Sequence, residues 1–212
     1  MKSLLVATTN PGKFEEAAAV LADEGLTVLG LKDFPGVKPV PETGATFEEN
    51  ALLKAKGYFA QTGVPTIADD GGFVVDHLDG LPGVNSHRWL GHEASDKELA
   101  EAVIEKLHGV PHEKRTARLG GFIAFWDGEH LLKSENWIEG YVADHIAGAI
   151  RPGFPYRPLL MIPQFGKPYS DLTHEEHELV NFRRKNFKAL KPQILAIAFG
   201  EAPPEAVEHQ IG

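Results

Sequence analysis

The stretch Val64-Pro-Thr-Ile-Ala-Asp-Asp-Gly-Gly-Phe73 passes from apolar to acidic to glycine within a few residues. The apolar run reads as a buried strand that stops at Asp69-Asp70, which places paired negative charge at the rim of a sheet. In open α/β sheets that rim is where ligands bind. Adjacent carboxylates repel each other and need a cation, a shared proton or solvent. Two readings are open at this point. The pair holds a metal and a water, or Asp-Asp-Gly-Gly simply caps a turn, because Asp and Gly favour turns for local reasons.

Working outward, residues 4–7 read as a buried strand and Thr8-Thr-Asn-Pro-Gly12 as turn chemistry. Phe14, Ala17, Ala18 and Leu21 fall at helical spacing, so a helix follows, stopped by Gly25. Residues 26–29 read as the next strand and 34–41 as irregular. Thr46-Phe-Glu-Glu49 is a capping box. It opens a helix to about Gln61, with Gly63 at its end. Phe73-Val-Val75 is a second extended run, and Leu81-Pro-Gly83 marks a turn.

Asp96 is expected to cap a helix whose apolar face is Leu99, Ala100, Val103, Ile104 and Leu107. Residues 115–125 and 131–142 read as strands of a meander, joined at Asp127-Gly128. Residues 148–168, rich in Pro, Gly and aromatics, read as loop. Thr173-His-Glu-Glu176 is a second capping box, predicting one helix toward Leu190. Residues 193–198 suit a terminal helix turn or a strand. The expectation is one α/β domain over residues 1–200 with a frayed tail at 201–212.

Composition narrows the classes. The 212 residues, 42% hydrophobic and 24% charged, hold ample material for a core. Lys plus Arg number 21 against 30 Asp plus Glu, a formal net charge of -9, which argues against a surface that coats nucleic acid. Without cysteine there are no disulfides, no thiolate catalysis and no Cys-type zinc site. The opening apolar run is too short for a signal-peptide core. No window approaches the roughly 18 apolar residues of a membrane span. A soluble cytoplasmic protein is expected.

Several residues could carry chemistry. Thr8, Thr9, Asn10, Pro11, Gly12 and Lys13 lie between a strand and a helix, where helix N-terminal amides and the dipole favour an anion. The pattern is not a Walker loop, and taken alone it reads as an ordinary strand-to-helix turn. Glu42 suits a metal or a solvated surface. Asn50 and Lys54, at i and i+4, share a helix face that suits a phosphate oxygen or water. A hard cation such as Mg²⁺ takes one or two carboxylates plus phosphate oxygens and waters. Glu42, Asp69 and Asp70 supply that charge, with one carboxylate left to orient or deprotonate a water. In Gly153-Phe-Pro-Tyr-Arg-Pro158 the aromatics form a platform for a base or anchor the loop in the core. The basic run Asn181-Phe-Arg-Arg-Lys-Asn186 faces a nucleotide or solvent. His174 and His177 lie one turn apart without a third ligand. Trp89, Trp126 and Trp137 are scattered and are expected in the core.

The order and spacing of these signals carry more than any one of them. The series Thr8-Thr-Asn-Pro-Gly-Lys13, Glu42-Thr-Gly-x-Thr46-Phe-x-Glu49-Asn50-Ala-x-x-Lys54-Ala, Ala68-Asp-Asp-x-Gly72 and Leu81-Pro-Gly-Val-x-Ser86-x-Arg88 resembles the inosine triphosphate pyrophosphatase family. The resemblance covers about residues 3–190. It implies a long, curved, mixed β-sheet flanked by helices, with two lobes and a nucleotide cleft between them. It also implies a homodimer acting on a small-molecule nucleoside triphosphate, with no nucleic-acid polymer and no membrane as partner. The implied reaction is NTP plus water to NMP and diphosphate with Mg²⁺, removing non-standard purine nucleotides such as ITP, dITP and XTP. By position, residues 8–13 and Lys54 hold phosphates, Glu42 and Asp69 hold Mg²⁺, and Asp70 activates water. Asn50, Gly71, Phe154, Tyr156, Arg157, His177 and Arg183 complete the implied substrate-binding set.

The chain departs from that family in particular places. Gly71 replaces the serine of Asp-Asp-Ser-Gly. The Gly-Phe-Gly-Tyr-Asp-Pro loop becomes Gly153-Phe-Pro-Tyr-Arg-Pro158, in which Pro155 removes an N–H and Arg157 reverses a charge. Aligned without gaps from Thr173, the Ser-His-Arg motif falls on Asn181-Phe182-Arg183 and the preceding Lys on His177. A gapped alignment would place the motif on residues 184–186. The phosphate and metal half is retained and the base-recognition half rewritten. The expectation is triphosphate hydrolysis with altered or relaxed base selectivity, since buried polar groups at the base edge supply discrimination. The alternatives are a nucleotide-binding protein with weak or no hydrolysis, and a pyrophosphatase for another modified nucleotide.

Overall fold

The computed structural model describes residues 2–201. A seven-stranded sheet has the order β2-β1-β3-β4-β5-β6-β7. The chain runs β1 (Lys2–Val6), α1 (Pro11–Leu21), β2 (Leu26–Gly30), α2 (Phe47–Thr62), β3 (Thr66–Val75), α3 (Asp96–Lys106), β4 (Thr116–Trp126) and β5 (Leu131–Val142). It closes with β6 (Leu160–Ile162), β7 (Lys167–Pro168), α4 (His174–Val180) and α5 (Phe182–Phe199). β1 pairs in parallel with β2 and β3, and every later pair is antiparallel, so the sheet is mixed.

Side-chain alternation builds the layers. Leu4, Val6, Ile67, Ile123 and Phe125 face α1 and α5, against Ala17, Val20, Leu21, Phe187, Leu190 and Ile194. Leu5, Ala7, Ala68 and Ala124 face the other way, against Ala51, Ala55 and Tyr58 of α2. A third cluster lies toward the far end of β3. It joins Phe73 and Val75 to α3 through Leu99, Ala100, Val103 and Leu107, and to Val142, Leu160 and Tyr169. β3, β4 and β5, of 10, 11 and 12 residues, are long enough to serve all three clusters. Asp69 to Gly72 fall between the near pair of clusters and the far one.

The capping boxes form as the spacing predicts. The Thr46 hydroxyl accepts the Glu49 N–H at 3.1 Å, and Glu49 returns the bond to the Thr46 N–H at 3.2 Å. Gly63 closes α2 at φ 67°, a left-handed conformation that glycine adopts without strain.

Other expectations are corrected. β3 does not stop at Asp69-Asp70, because β4 continues to pair with it as far as Val75. Gly71 and Gly121 allow the two backbones to pass closely: a Cβ on Gly71 would overlap the Gly120 carbonyl oxygen, and one on Gly121 the Asp70 carbonyl oxygen. Ser95, not Asp96, caps α3, and its side chain accepts the Glu98 N–H. Asp96 instead accepts the Gly153 N–H at 2.7 Å. The stretch 148–168 holds β6 and β7, too short for any periodicity to show. The single late helix is two helices that meet at Asn181, which ends α4 and caps α5 through the Arg184 N–H. Residues 193–198 are the last helical turns of α5. α1 ends at Leu21, and Gly25, at φ 81°, turns the chain into β2. The three tryptophans are only partly buried. Apart from Glu201, the expected frayed tail lies outside the described residues. Among those residues no helix is long and apolar enough to cross a membrane.

Candidate active site

β1 accompanies β3 only as far as Ile67. Beyond it the chain leaves β1 through Thr8 and Thr9, and α1 begins. The acidic pair therefore sits where β3 has lost its parallel neighbour, next to a helix N-terminus. That is the switch-point geometry at which α/β sheets bind ligands.

Asp69 and Asp70 share a strand but not a face. Asp69 lies opposite Ile123 and faces α1 and α5; Asp70 lies opposite Phe122 and faces α2. Asp69 Oδ2 receives Lys13 Nζ at 3.0 Å and Arg183 Nε at 3.1 Å. Asp70 Oδ1 receives Lys54 Nζ at 3.1 Å, and the same ammonium reaches Glu42 Oε2 at 3.3 Å. The repulsion expected between neighbouring carboxylates is thus relieved by separation across the sheet, each with its own cation.

The electrostatics differ accordingly. Burial pushes Asp69 upward, yet Lys13 and Arg183 outweigh it and hold the carboxyl well below the usual carboxylate range. Burial dominates at Asp70, aided by Glu42, and raises it despite Lys54. Burial lowers Lys13 more than Asp69 raises it. At Lys54 burial is overcome by Asp70, Asp69 and Glu42, and the ammonium is held above its ordinary value. The second oxygen of Asp70, Oδ2, is buried and has no hydrogen-bond partner among the described residues.

The loop ahead of α1 is shaped by its own side chains. Thr8 Oγ1 accepts the Asn10 N–H at 3.2 Å, and Asn10 Oδ1 accepts the Lys13 N–H at 3.2 Å as N-cap. Pro11 occupies the first turn, where its missing N–H costs nothing. Thr9 is exposed. Asn50 is buried in α2, and its Oδ1 accepts the Gly44 N–H at 2.8 Å. It holds the segment that carries Glu42 against the helix that carries Lys54.

A cleft opens beside this centre, lined among others by Lys13, His87, Phe154, Arg157, Phe182 and Arg183. Tyr156 is an anchor rather than a platform: it stacks on Phe73 with centroids 5.2 Å apart and donates its hydroxyl proton to the Ser86 carbonyl. The Arg157 guanidinium lies 3.7 Å from the Phe154 ring centroid, covering a face on which a base could stack. Its charge is met by Glu16 Oε1 at 3.1 Å, and Glu16 Oε2 takes Arg183 Nη1 at 2.7 Å. His177 is half-buried edge-on to Tyr169 at 4.6 Å, and burial together with Arg157 lowers its affinity for a proton.

Glu16 escaped the sequence reading, and Asn186 entered it only as the end of the basic run and of the gapped motif, not as a buried anchor. Glu16 follows Lys13 by three residues on one helix face, so a signal existed. Asn186 is fully buried: its Oδ1 accepts from Ser134 Oγ and Asn136 Nδ2, both at 2.8 Å, and its Nδ2 donates to the Gly121 carbonyl at 3.1 Å. It pins α5, and with it Arg183, to the strands beside Gly71. Those partners are distant in sequence, so no local pattern marks them.

Among the described residues no three His, Cys, Asp or Glu converge as a ready cage for a metal. Glu42 and Asp70 nevertheless converge on Lys54 Nζ, and the other oxygen of Asp70 has no partner among the described residues. That donor set fits a hard cation that shares one or two carboxylates with a polyphosphate.

Residues 4–193 match the family model described as the Ham1 family. The dITP/XTP pyrophosphatase of Geobacillus kaustophilus is 39% identical over 206 residues, covering 97% of this chain and 100% of the relative. That of Yersinia pseudotuberculosis is 41% identical over 194 residues, covering 90% and 96%. Among solved structures, the Staphylococcus aureus Ham1 protein superposes with a TM-score of 0.81 at 28% identity, covering 92% of this chain and 100% of that one. A Mycobacterium abscessus nucleoside-triphosphatase / dITP/XTP pyrophosphatase gives 0.73 at 35% identity, covering 90% and 99%.

Proposed function

This chain belongs to the Ham1 family, and we propose on that premise that it is a nucleoside-triphosphate pyrophosphohydrolase. It converts non-standard purine nucleotides such as dITP, ITP and XTP, with water, into the monophosphate and diphosphate. The observation that carries the reading is Asp70: a buried carboxylate with one oxygen paired to Lys54 and the other without a partner among the described residues, beside a helix N-terminus.

In this reading the N-terminus of α1 and Lys13 receive phosphate oxygens. Glu42 and Asp70, which share Lys54, would hold Mg²⁺, in place of the pairing of Glu42 with Asp69 that the resemblance implies. When bound, the cation would neutralise phosphate charge and polarise the scissile linkage. Asp70 orients a water toward the α-phosphorus and takes its proton as the bond to the bridging oxygen breaks. Lys13 and Lys54 stabilise the charge that develops on the departing diphosphate. Asp69 contacts no substrate in this scheme; it holds Lys13 and Arg183 in position. Arg183, Arg157, Phe154 and Phe182 face the base, and the Arg157–Glu16 pair supports altered selectivity there. The same reading takes the protein as a cytoplasmic homodimer acting on free nucleotides.

Diphosphate release from a panel of triphosphates with Mg²⁺ tests this. ITP, dITP and XTP are expected to turn over. Asp70→Asn should lower kcat by roughly 10²–10⁴-fold while nucleotide binding survives. Binding without turnover of any triphosphate would favour a nucleotide-binding protein instead. Strict rejection of every standard nucleotide would remove the altered-selectivity part.

A further inference from the structure

Lys54 stands between two carboxylates of the proposed cation site. Its Nζ is 3.1 Å from Asp70 Oδ1 and 3.3 Å from Glu42 Oε2, and the side chain is 11% exposed. A monovalent cation thus occupies the point where two negative charges converge. It satisfies one oxygen of Asp70 and leaves the buried Oδ2 without a partner among the described residues.

We propose that Lys54 is a resident counter-ion that keeps the Glu42–Asp70 pair closed to a divalent cation until a polyphosphate draws the ammonium away. The identity of the polyphosphate and of the cation rests on the hydrolase reading above. A dication cannot settle between the two carboxylates while an ammonium lies about 3 Å from both, because like charges at that distance repel strongly. The ammonium must find another anion. Among the described residues no other carboxylate pairs with it, and Asp69, on the opposite face, is already taken by Lys13 and Arg183. Phosphate oxygens arriving at the neighbouring helix N-terminus supply that anion. The flexible four-carbon stem lets the charge move without moving α2. Cation and polyphosphate are then linked, and each raises the affinity for the other by the same factor. Lys54 is a positioning residue for the cation as well as a contact for phosphate.

The test reads binding rather than turnover. Mn²⁺ is titrated calorimetrically into the full chain without nucleotide, as wild type and as Lys54→Met, which keeps the stem and removes the charge. Lys54→Met should bind Mn²⁺ at least about tenfold more tightly. Inorganic tripolyphosphate should tighten Mn²⁺ binding about tenfold or more in wild type and less than threefold in the variant. Lys54→Gln, a second neutral variant, should behave like Lys54→Met should the latter fail to fold, and Lys54→Arg should behave like wild type. Equal nucleotide-free Mn²⁺ affinity in wild type and a folded neutral variant would overturn the proposal. The metal-only comparison needs no hydrolysis. A protein that turns over no triphosphate can still pass it, and a working hydrolase can fail it.

Discussion

Gly71 lies against β4 where no side chain fits, since its Cβ would overlap the Gly120 carbonyl oxygen. The neighbouring Gly121 is as tightly held, against the Asp70 carbonyl. The serine expected by resemblance is therefore absent for a steric reason, and restoring it does not simply restore a hydroxyl. Gly71→Ser should destabilise the protein by about 1–3 kcal/mol, the usual cost of forcing atoms into a filled space. Urea unfolding measures it, and an unchanged midpoint would show that β3 and β4 can part without strain. Other residue-level expectations shift in meaning. Thr8 and Asn10 spend their side-chain oxygens on the backbone, so they shape the anion site more than they touch its ligand. Tyr156 anchors the loop in the far cluster, and Arg157 is matched by Glu16.

At the scale of elements, the break between α4 and α5 does what one continuous helix could not. Asn181, at φ -60° and ψ 105°, redirects the chain so that Phe182 and Arg183 turn inward while Asn186 reaches Gly121. Its side chain caps α5 through the Arg184 N–H at 3.1 Å. Asn181→Ala should cost about 0.5–2 kcal/mol by loss of that cap. It should also raise KM, because Arg183 depends on where α5 begins; thermal melts and steady-state kinetics separate the two effects. An Ala variant as stable as wild type would mean that packing alone sets the break. The capping box at Thr173 was legible because it is four adjacent residues. The cap at Asn181 has no such signature: Asn181 opens a basic run whose composition suits a charged face, and no Glu or Gln stands three residues on.

Across the whole molecule, two ionic systems lie on opposite faces of one sheet. On one face Arg157, Glu16, Arg183, Asp69 and Lys13 alternate in sign; on the other, Lys54 joins Glu42 and Asp70. The first system ties α1, α5, β3 and the 153–157 loop together, and so couples site geometry to global stability. Because Asp69 is held below the usual carboxylate range, the unfolded chain binds its proton more readily than the folded chain does. Its stabilisation is fully present above the unfolded value near ~3.9 and is lost as the pH falls below about 4 toward the folded value. Asp69→Asn should be less stable at neutral pH by about 3–5 kcal/mol, since it leaves buried cations short of a partner. It should also lose part of the decline in stability below about pH 4. Urea unfolding across pH checks both; a variant with the wild-type acid slope would assign that slope to other carboxylates.

Read alone, the sequence determined what neighbouring residues decide. The strand into Asp69, the turn and helix start at residues 8–13, the capped helix from Thr46 and the spacing of the acidic and basic motifs were all legible, because each is set by adjacent side chains and local backbone bonds. Only the tertiary structure decided that β3 continues past Asp70, because that depends on β4 lying close enough for glycines alone. It also decided which cation meets which carboxylate. Strand alternation sends Asp69 and Asp70 to opposite faces, and the helices packed there bring Lys13 and Arg183 to one, Lys54 and Glu42 to the other. Ion pairing acts over a few ångströms of space, whereas these partners lie up to 114 residues apart in the chain.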